Sequence, residues 1–240
     1  MKLTKLINEK HLIVEYKVYE YNIKNNQVVK EANPNKEIMR IQVLSNIAKK
    51  YPKLDIFDIM LNGYSLNKNN LDPVICTNLN KNLITNDKTR ILINKYLLEG
   101  VKAVNKIYED EDKIKKLYYK KKIVLSFKNH KVSLYRKSYN RIIKQCIKKP
   151  PQNIDTIIWC LLYRYKNMGY LTGIQGSVNP TYYRKIHKMY HANLECFGSF
   201  INHTLKYFFG IFYDLEKYFG CLGNFFNCKL IKGFYVMNPP

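Results

Sequence analysis

A chain of 240 residues is long enough for one large domain or two small ones and buries roughly 70% of its unfolded surface. Hydrophobic residues at 46% and aromatic residues at 14% exclude an intrinsically disordered chain, and no apolar run approaches the roughly 18 residues of a transmembrane helix. Lys and Arg number 41 against 18 acidic residues, a formal charge of +23, which calls for an anionic partner, nucleic acid or a membrane surface.

The start of the chain, MKLTKLINEKHLIVEYKVYEY, is broken by charges and lacks the apolar block of a signal peptide, so export is not expected. Within it Leu12, Val14, Tyr16 and Val18 keep a two-residue period against Glu15 and Lys17, a strand signal. From Glu37 to Lys50, Ile38, Ile41, Leu44 and Ile47 recur at helical spacing, with Pro52 beyond the end. Residues 62 to 86, rich in Asn, Lys and Ser, read as loop. A second helical region is predicted from Lys88 to Tyr118, with an acidic knot at Glu109 to Asp112.

The period then switches. KIVLSFKNHKVSLYRK, Lys122 to Lys137, holds two β-branched and aromatic runs about a polar break, a hairpin signature. Lys120, Lys121, Lys122, Lys128, Lys131, Arg136, Lys137 and Arg141 crowd it. A charge run alone is ordinarily a solvated face. Here Tyr118, Tyr119, Tyr135 and Tyr139 interleave with the cations, the combination that RNA phosphates and bases require.

Pro150 and Pro151 mark a boundary between a basic, mostly helical region with a hairpin (1–149) and a second unit (150–240). Asn153 or Asp155 can cap a helix with Ile157, Ile158, Leu161 and Leu162 on its apolar face and Trp159 and Tyr163 turned elsewhere. A turn carries Gly169, Gly173 and Gly176; Asn179 and Pro180 open a helix to about His191. Leu194 to Phe197 reads as a short strand, His203 to Phe212 as a helix, Tyr218 to Gly223 as a loop and Phe234 to Met237 as a last strand. Alternating helix and strand predicts an α/β fold. The six cysteines form no C-x-x-C pair, and His187 and His191, four apart, lack the Glu of a zincin motif, so no metal is expected.

Two stretches point to chemistry. Asn238-Pro239-Pro240 follows the apolar run GFYVM, which sets an amide and prolines at the carboxyl edge of a sheet, where α/β folds bind ligands. Their oxygens are acceptors suited to an exocyclic amine, whose nitrogen is a poor nucleophile until acceptors hold its N–H groups. Upstream, Leu194-Glu195-Cys196-Phe197-Gly198-Ser199 is a strand entering a small-residue turn, with an acid suited to a cationic cofactor. Each also reads as ordinary strand termini and turns.

Taken together, WCLLYRY (Trp159 to Tyr165), TGIQGS (Thr172 to Ser177), LECFGS (Leu194 to Ser199), Asn202, YFGCLG (Tyr218 to Gly223) and NPP resemble the phosphorylated-CTD-interacting-factor family, the cap-specific adenosine N6-methyltransferases. The resemblance implies an incomplete Rossmann-like methyltransferase sheet and methyl transfer from S-adenosyl-L-methionine to N6 of the 2′-O-methyladenosine beside the mRNA cap. It places Asn238, Pro239 and Pro240 on the adenine and Glu195, Phe197, Gly198, Ser199, Asn202, Asp214, Phe219 and Gly220 around the cofactor. Lys122, Lys128, Lys131, Arg136 and Gln175 would hold capped mRNA, at a nuclear, viral or cytoplasmic transcription site. Two departures carry expectations. A WW module needs two tryptophans and Trp159 stands alone, so the WW domain and polymerase docking through it are expected to be absent. The family continues past Asn-Pro-Pro with an aromatic ring and further strands, so the chain ending at Pro240 is expected to be inactive by itself, or to need a partner that completes the sheet. The alternative is a non-catalytic cap- or RNA-binding protein, or a stimulatory subunit, on a degenerate methyltransferase fold.

Overall fold

A computed structural model of the chain describes residues 2–8, 12–18, 32–60, 72–108, 113–147, 150, 153–169, 179–232 and 235–237. The first two strands, β1 (Lys2–Asn8) and β2 (Leu12–Val18), pair antiparallel, and β2 also pairs with a later strand, Cys228–Lys232. The strand period around Leu12 is therefore real, and it closes on the far end of the chain.

Helix α1 (Pro34–Lys50) begins three residues earlier than its apolar spacing announces. Asn33 Oδ1 accepts from Lys36 N at 3.1 Å and Pro34 fills the first turn, a capping pair that sets the start. Helix α2 (Asp87–Asn105) is capped in the same way by Asn86 on Thr89 N, 2.9 Å. It stops at Asn105, and the tail predicted to be helical is instead strand β3 (Lys115–Tyr118), recruited by pairing with β4 (Lys122–Phe127). Pairing overrides local helix propensity there.

β4 turns at Lys128 and Asn129 into β5 (His130–Tyr135), as the alternation predicts, with Lys128 in the left-handed region at φ 50°. One face of this three-stranded sheet carries Ile123, Leu125, Phe127 and Val132 into the core. Helix α3 (Arg136–Lys144) follows β5 directly.

Helix α4 (Ile154–Asn167), capped by Asn153 on Asp155 N at 2.9 Å, is the spine of the molecule. Every residue from Ile157 to Tyr165 is buried. Trp159 and Tyr163 do not turn away from the core: they stack on each other at 4.8 Å, and Trp159 also meets Phe127 of β4. One apolar cluster runs from Ala32 through α1, α2 and the sheet to Phe219 and Cys221, across the Pro150 boundary.

Helix α5 (Pro180–Tyr190) starts on Asn179 and Pro180 as predicted and ends at His191, φ 53°. Strand β6 (Leu194–Glu195) pairs parallel with β7 (Tyr207–Phe208). Single parallel bridges extend this ladder on both sides, Glu195 to Val236 and Phe208 to Cys221. The helix expected from His203 to Phe212 does not form, because the Tyr207–Phe209 backbone is drawn into the ladder. Only a short helix, α6 (Tyr213–Glu216), follows, and Cys228–Lys232 is β8. The fold is mixed helix and strand, with antiparallel three-stranded sheets and this small parallel ladder. Parallel neighbours normally need a crossover of a dozen or more residues, usually a helix; from β6 to β7 the chain crosses through the irregular segment 196–206. No helix of the described residues is long and apolar enough to cross a membrane.

Candidate functional site

The ladder sets four segments side by side in the order Val236, β6, β7, Cys221. Cys196 N donates to Val236 O at 2.8 Å and Val236 N donates to Leu194 O at 3.1 Å. The chain leading to Asn238 therefore leaves the sheet beside the turn that follows Glu195. Asn238, Pro239, Pro240 and Gln175 themselves lie outside the described residues, as does TGIQGS.

At this carboxyl edge an aromatic group gathers. Phe197 lies 4.9 Å from Phe225 and 6.2 Å from Phe226, ring centre to ring centre, and Phe209 meets Phe225 at 5.9 Å. Phe226 is 76% exposed and Met237, on the same edge, 55% exposed. Sequence reasoning misses Phe225 and Phe226, although an aromatic pair between Asn224 and Asn227 after a glycine-punctuated loop is a visible signal.

The polar residues assigned to the cofactor are engaged by the protein itself. Glu195, 3% exposed, accepts from Thr204 N at 2.5 Å and Leu205 N at 2.6 Å and from the Tyr183 hydroxyl. Burial pushes its carboxyl above the usual range, against the pull of those bonds and of Arg141. It anchors the loop between β6 and β7. Asp214 is gripped by Arg164 through both oxygens, at 2.8 and 2.7 Å. Ser199 N and Oγ both donate to Asn202 Oδ1, at 2.7 and 3.0 Å, closing a turn. Gly198 N donates to Phe209 O at 2.9 Å, and a Cβ there would press on the Phe208 ring. Phe219 is fully buried against Phe200.

Gly220 sits at φ +101°, and a Cβ would run into the Lys206 carbonyl. Its own carbonyl accepts from Phe208 N at 3.2 Å, so this turn sets the ladder. Gly220→Ala is expected to cost ~2–3 kcal/mol in urea unfolding with no ligand present; an unchanged midpoint would remove the backbone explanation for this glycine.

The basic residues assigned to RNA do not form one patch. Lys122 faces Tyr135, its ammonium 5.7 Å from the ring centre, and Arg136 lies 5.7 Å from the Tyr118 ring. Lys128 is at the other end of the hairpin, on Asn35 Oδ1 at 3.0 Å, at the rim of a groove of about 450 Å3 shared with Met39, Gln42, Ile107 and His130. The Lys131 carbonyl accepts from Lys166 Nζ at 3.2 Å. Tyr139 is buried, donating to Asp155 Oδ1 at 2.6 Å, with Lys116 ion-paired to Asp155 at 2.7 Å. Burial works against the Lys116 ammonium, and Asp155 with Tyr139 more than offsets this, so its pKa rises.

The hairpin is joined to the ladder through α3. The Arg141 guanidinium donates to Ile201 O, Gln145 Nε2 to His203 O at 3.1 Å, and Ile147 N to Tyr218 O at 2.9 Å. The six cysteines are not joined in disulfides, and among the described residues no group of three or more His, Cys, Asp or Glu could hold a metal ion.

A family model described as the phosphorylated CTD interacting factor 1 WW domain matches residues 131–240. This overturns the expectation that the WW domain is lacking, and with it the exclusion of polymerase docking by that route. Counting tryptophans weighs one side-chain type, whereas the match weighs the pattern of the whole segment. The chain is also 32% identical over 88 residues to proteins named mRNA (2′-O-methyladenosine-N(6)-)-methyltransferase from Homo sapiens and Mus musculus. That alignment takes in 35% of this chain and 12% of each relative. The chain thus spans a small part of the curated relatives it matches, and its likeness to them lies over less than half its own length.

Proposed function

We propose that the ladder and its carboxyl edge belong to an S-adenosyl-L-methionine-dependent methyltransferase unit acting on adenosine N6 of capped mRNA. The observation that carries this reading is the parallel bridge of Glu195 to Val236, which brings the approach to Asn238 alongside the LECFGS turn. The named activity of the similar proteins supports it. A Rossmann-like completion of the ladder belongs to the same reading.

The residues present fit one part of the cofactor. Phe197, Phe225 and exposed Phe226 offer aromatic surface for an adenine ring. They do not supply the polar ends, because Glu195 and Asp214 are engaged within the protein. When bound, the cofactor supplies an electrophilic methyl group on a sulfonium. In this reading the Asn238 amide oxygen and the Pro239 carbonyl accept from the N6 amino group and orient its lone pair. Glu195 acts as a positioning residue: it holds the 204–205 backbone and, through it, the spacing of β6 and β7.

Calorimetry with S-adenosylhomocysteine tests this. Saturable binding is expected, weakened roughly 10-fold or more in Phe197→Ala with the fold retained by circular dichroism, as loss of one stacking ring predicts. Silence of the wild-type chain would favour the second reading, an RNA-binding protein without catalysis, which the aromatic and basic sheet described next also supports.

A further inference from the structure

The open face of the hairpin sheet is a regular grid. Pairing aligns Lys115, Ser126 and Lys131 in one row and Leu117, Val124 and Ser133 in the next. The last row is Tyr119, Lys122 and Tyr135, since Tyr119 N donates to Lys122 O at 2.8 Å and Lys122 pairs with Tyr135. Residues two apart in a strand share a face, so these nine lie opposite the face that packs on α4. Tyr119 is 56% exposed, Tyr135 61% and Leu117 49%. An antiparallel sheet can leave one face to water, but that face is then ordinarily polar. This one shows two tyrosine rings with a lysine between them, a middle row of Leu117, Val124 and exposed Ser133, and at the far end two lysines on either side of buried Ser126.

We propose that this face is a platform for single-stranded RNA, Tyr119 and Tyr135 each stacking on one base and Lys122 meeting the phosphate between them. The inference rests on the RNA-directed reading above and adds a surface outside the ladder. The two rings stand two strand spacings apart, roughly 10 Å, too far for both to cover one base. Stacking accepts any base because each has a π-face, and the far row, Lys115 and Lys131, continues the positive track for the backbone. The sheet sorts residues that lie together in the sequence. Tyr118 points to the other face with Arg136, Tyr139 is buried, and Lys116 is held by Asp155, so none of these serves the platform. The net charge of +23 favours a polyanion. A phosphorylated peptide would share the charge but has no row of flat bases for the rings.

Fluorescence anisotropy of the 240-residue chain with a labelled 12-nucleotide oligoadenylate, without cofactor, decides it. The Tyr119→Leu, Tyr135→Leu double variant is expected to bind roughly 10- to 100-fold more weakly, with the salt dependence unchanged. Lys122→Gln is expected to lower the slope of log affinity against log salt by about 0.7, the share of one phosphate on a single strand. All three side chains are exposed, and matched thermal melts establish that the variants fold. Wild-type affinity in the double variant would overturn the proposal even if S-adenosylhomocysteine binds. So would equal affinity for a duplex of the same length, or tighter binding of a doubly phosphorylated serine peptide that the tyrosine changes abolish. Retained RNA binding with no S-adenosylhomocysteine binding would leave the platform standing and remove the methyltransferase reading.

Discussion

Arg164→Ala is expected to cost ~3–5 kcal/mol in urea unfolding, because it strips the guanidinium from a buried five-charge network. Arg164 Nε and Nη2 donate to Glu37 at 2.8 and 2.6 Å, while Nη1 and Nη2 donate to Asp214 at 2.8 and 2.7 Å. Arg40 donates to Glu37 at 2.5 Å and to Asp72 at 3.1 and 3.0 Å, and Asp72 in turn accepts from Val74 N and Ile75 N. Burial would push the Glu37 carboxyl up, but Arg164 and Arg40 hold it below the usual range. With Arg164 gone, three buried carboxylates share one cation. Since a domain of this size is stable by only ~5–15 kcal/mol, the loss is a large part of the total. Arg164→Lys is expected to cost nearly as much, as one ammonium cannot fork two carboxylates. A loss below ~1 kcal/mol in either variant would show that the network is hydrated. Glu37, Arg40 and Asp72 precede the segment matched by the family model, so a fragment starting at residue 131 leaves Arg164 half-paired and is expected to fold poorly.

This network is not legible in the sequence, for a physical reason. Arg164 stands in the apolar run WCLLYRY and its partners lie 127 and 50 residues away; nothing local distinguishes a buried Arg from one at the rim of a helix. What local chemistry sets is legible: Asn153, and Asn179 with Pro180, start their helices as caps should, and alternation from Lys122 to Tyr135 announces the hairpin, whereas apolar spacing alone starts the first long helix at Glu37 and passes over the Asn33–Pro34 cap. Where a run is apolar throughout, as in Tyr207-Phe208-Phe209, period does not separate strand from helix, and the distant parallel partners Asn193 and Gly220 decide for strand. The candidate site divides along the same line. The approach of Val236 to Glu195 follows from strand order. The employment of Glu195 as a loop anchor depends on Thr204 and Leu205, whose amides no motif announces.

Two buried groups near the ladder make stability depend on pH in opposite senses. Burial pushes Glu216 up to about 7 from 4.5, although Phe200 N, Tyr165 Oη and Phe212 N all donate to it, at 3.0, 2.7 and 3.1 Å. Burial lowers His203 from 6.5 to about 4; its Nδ1 lies 2.8 Å from Ser199 O and its ring stacks on Phe208 at 4.4 Å. A raised carboxyl holds its proton in the folded state, so Glu216 contributes stability that is present below pH 4.5 and lost as pH rises through 7. A depressed imidazole does the reverse: His203 contributes stability that is present above pH 6.5 and lost as pH falls through 4. Between about pH 4.5 and 6.5 the two slopes oppose each other in the wild type. Glu216→Gln leaves His203 alone, so stability relative to wild type is expected to rise with pH across that window, by ~2–3 kcal/mol at about 1.4 kcal/mol per proton per pH unit. His203→Gln leaves Glu216 alone, and relative stability is expected to fall by a similar amount over the same interval. Subtracting the wild-type curve cancels titrations the variants share, and the constant cost of the lost Phe212 bond in Glu216→Gln shifts a curve without tilting it. Urea unfolding at half-unit steps from about pH 4 to 7.5 reads the tilt directly. Two difference curves of the same sign would mean that one of these groups is solvated in the folded chain, and the burial of the ladder's supporting layer would have to be redrawn.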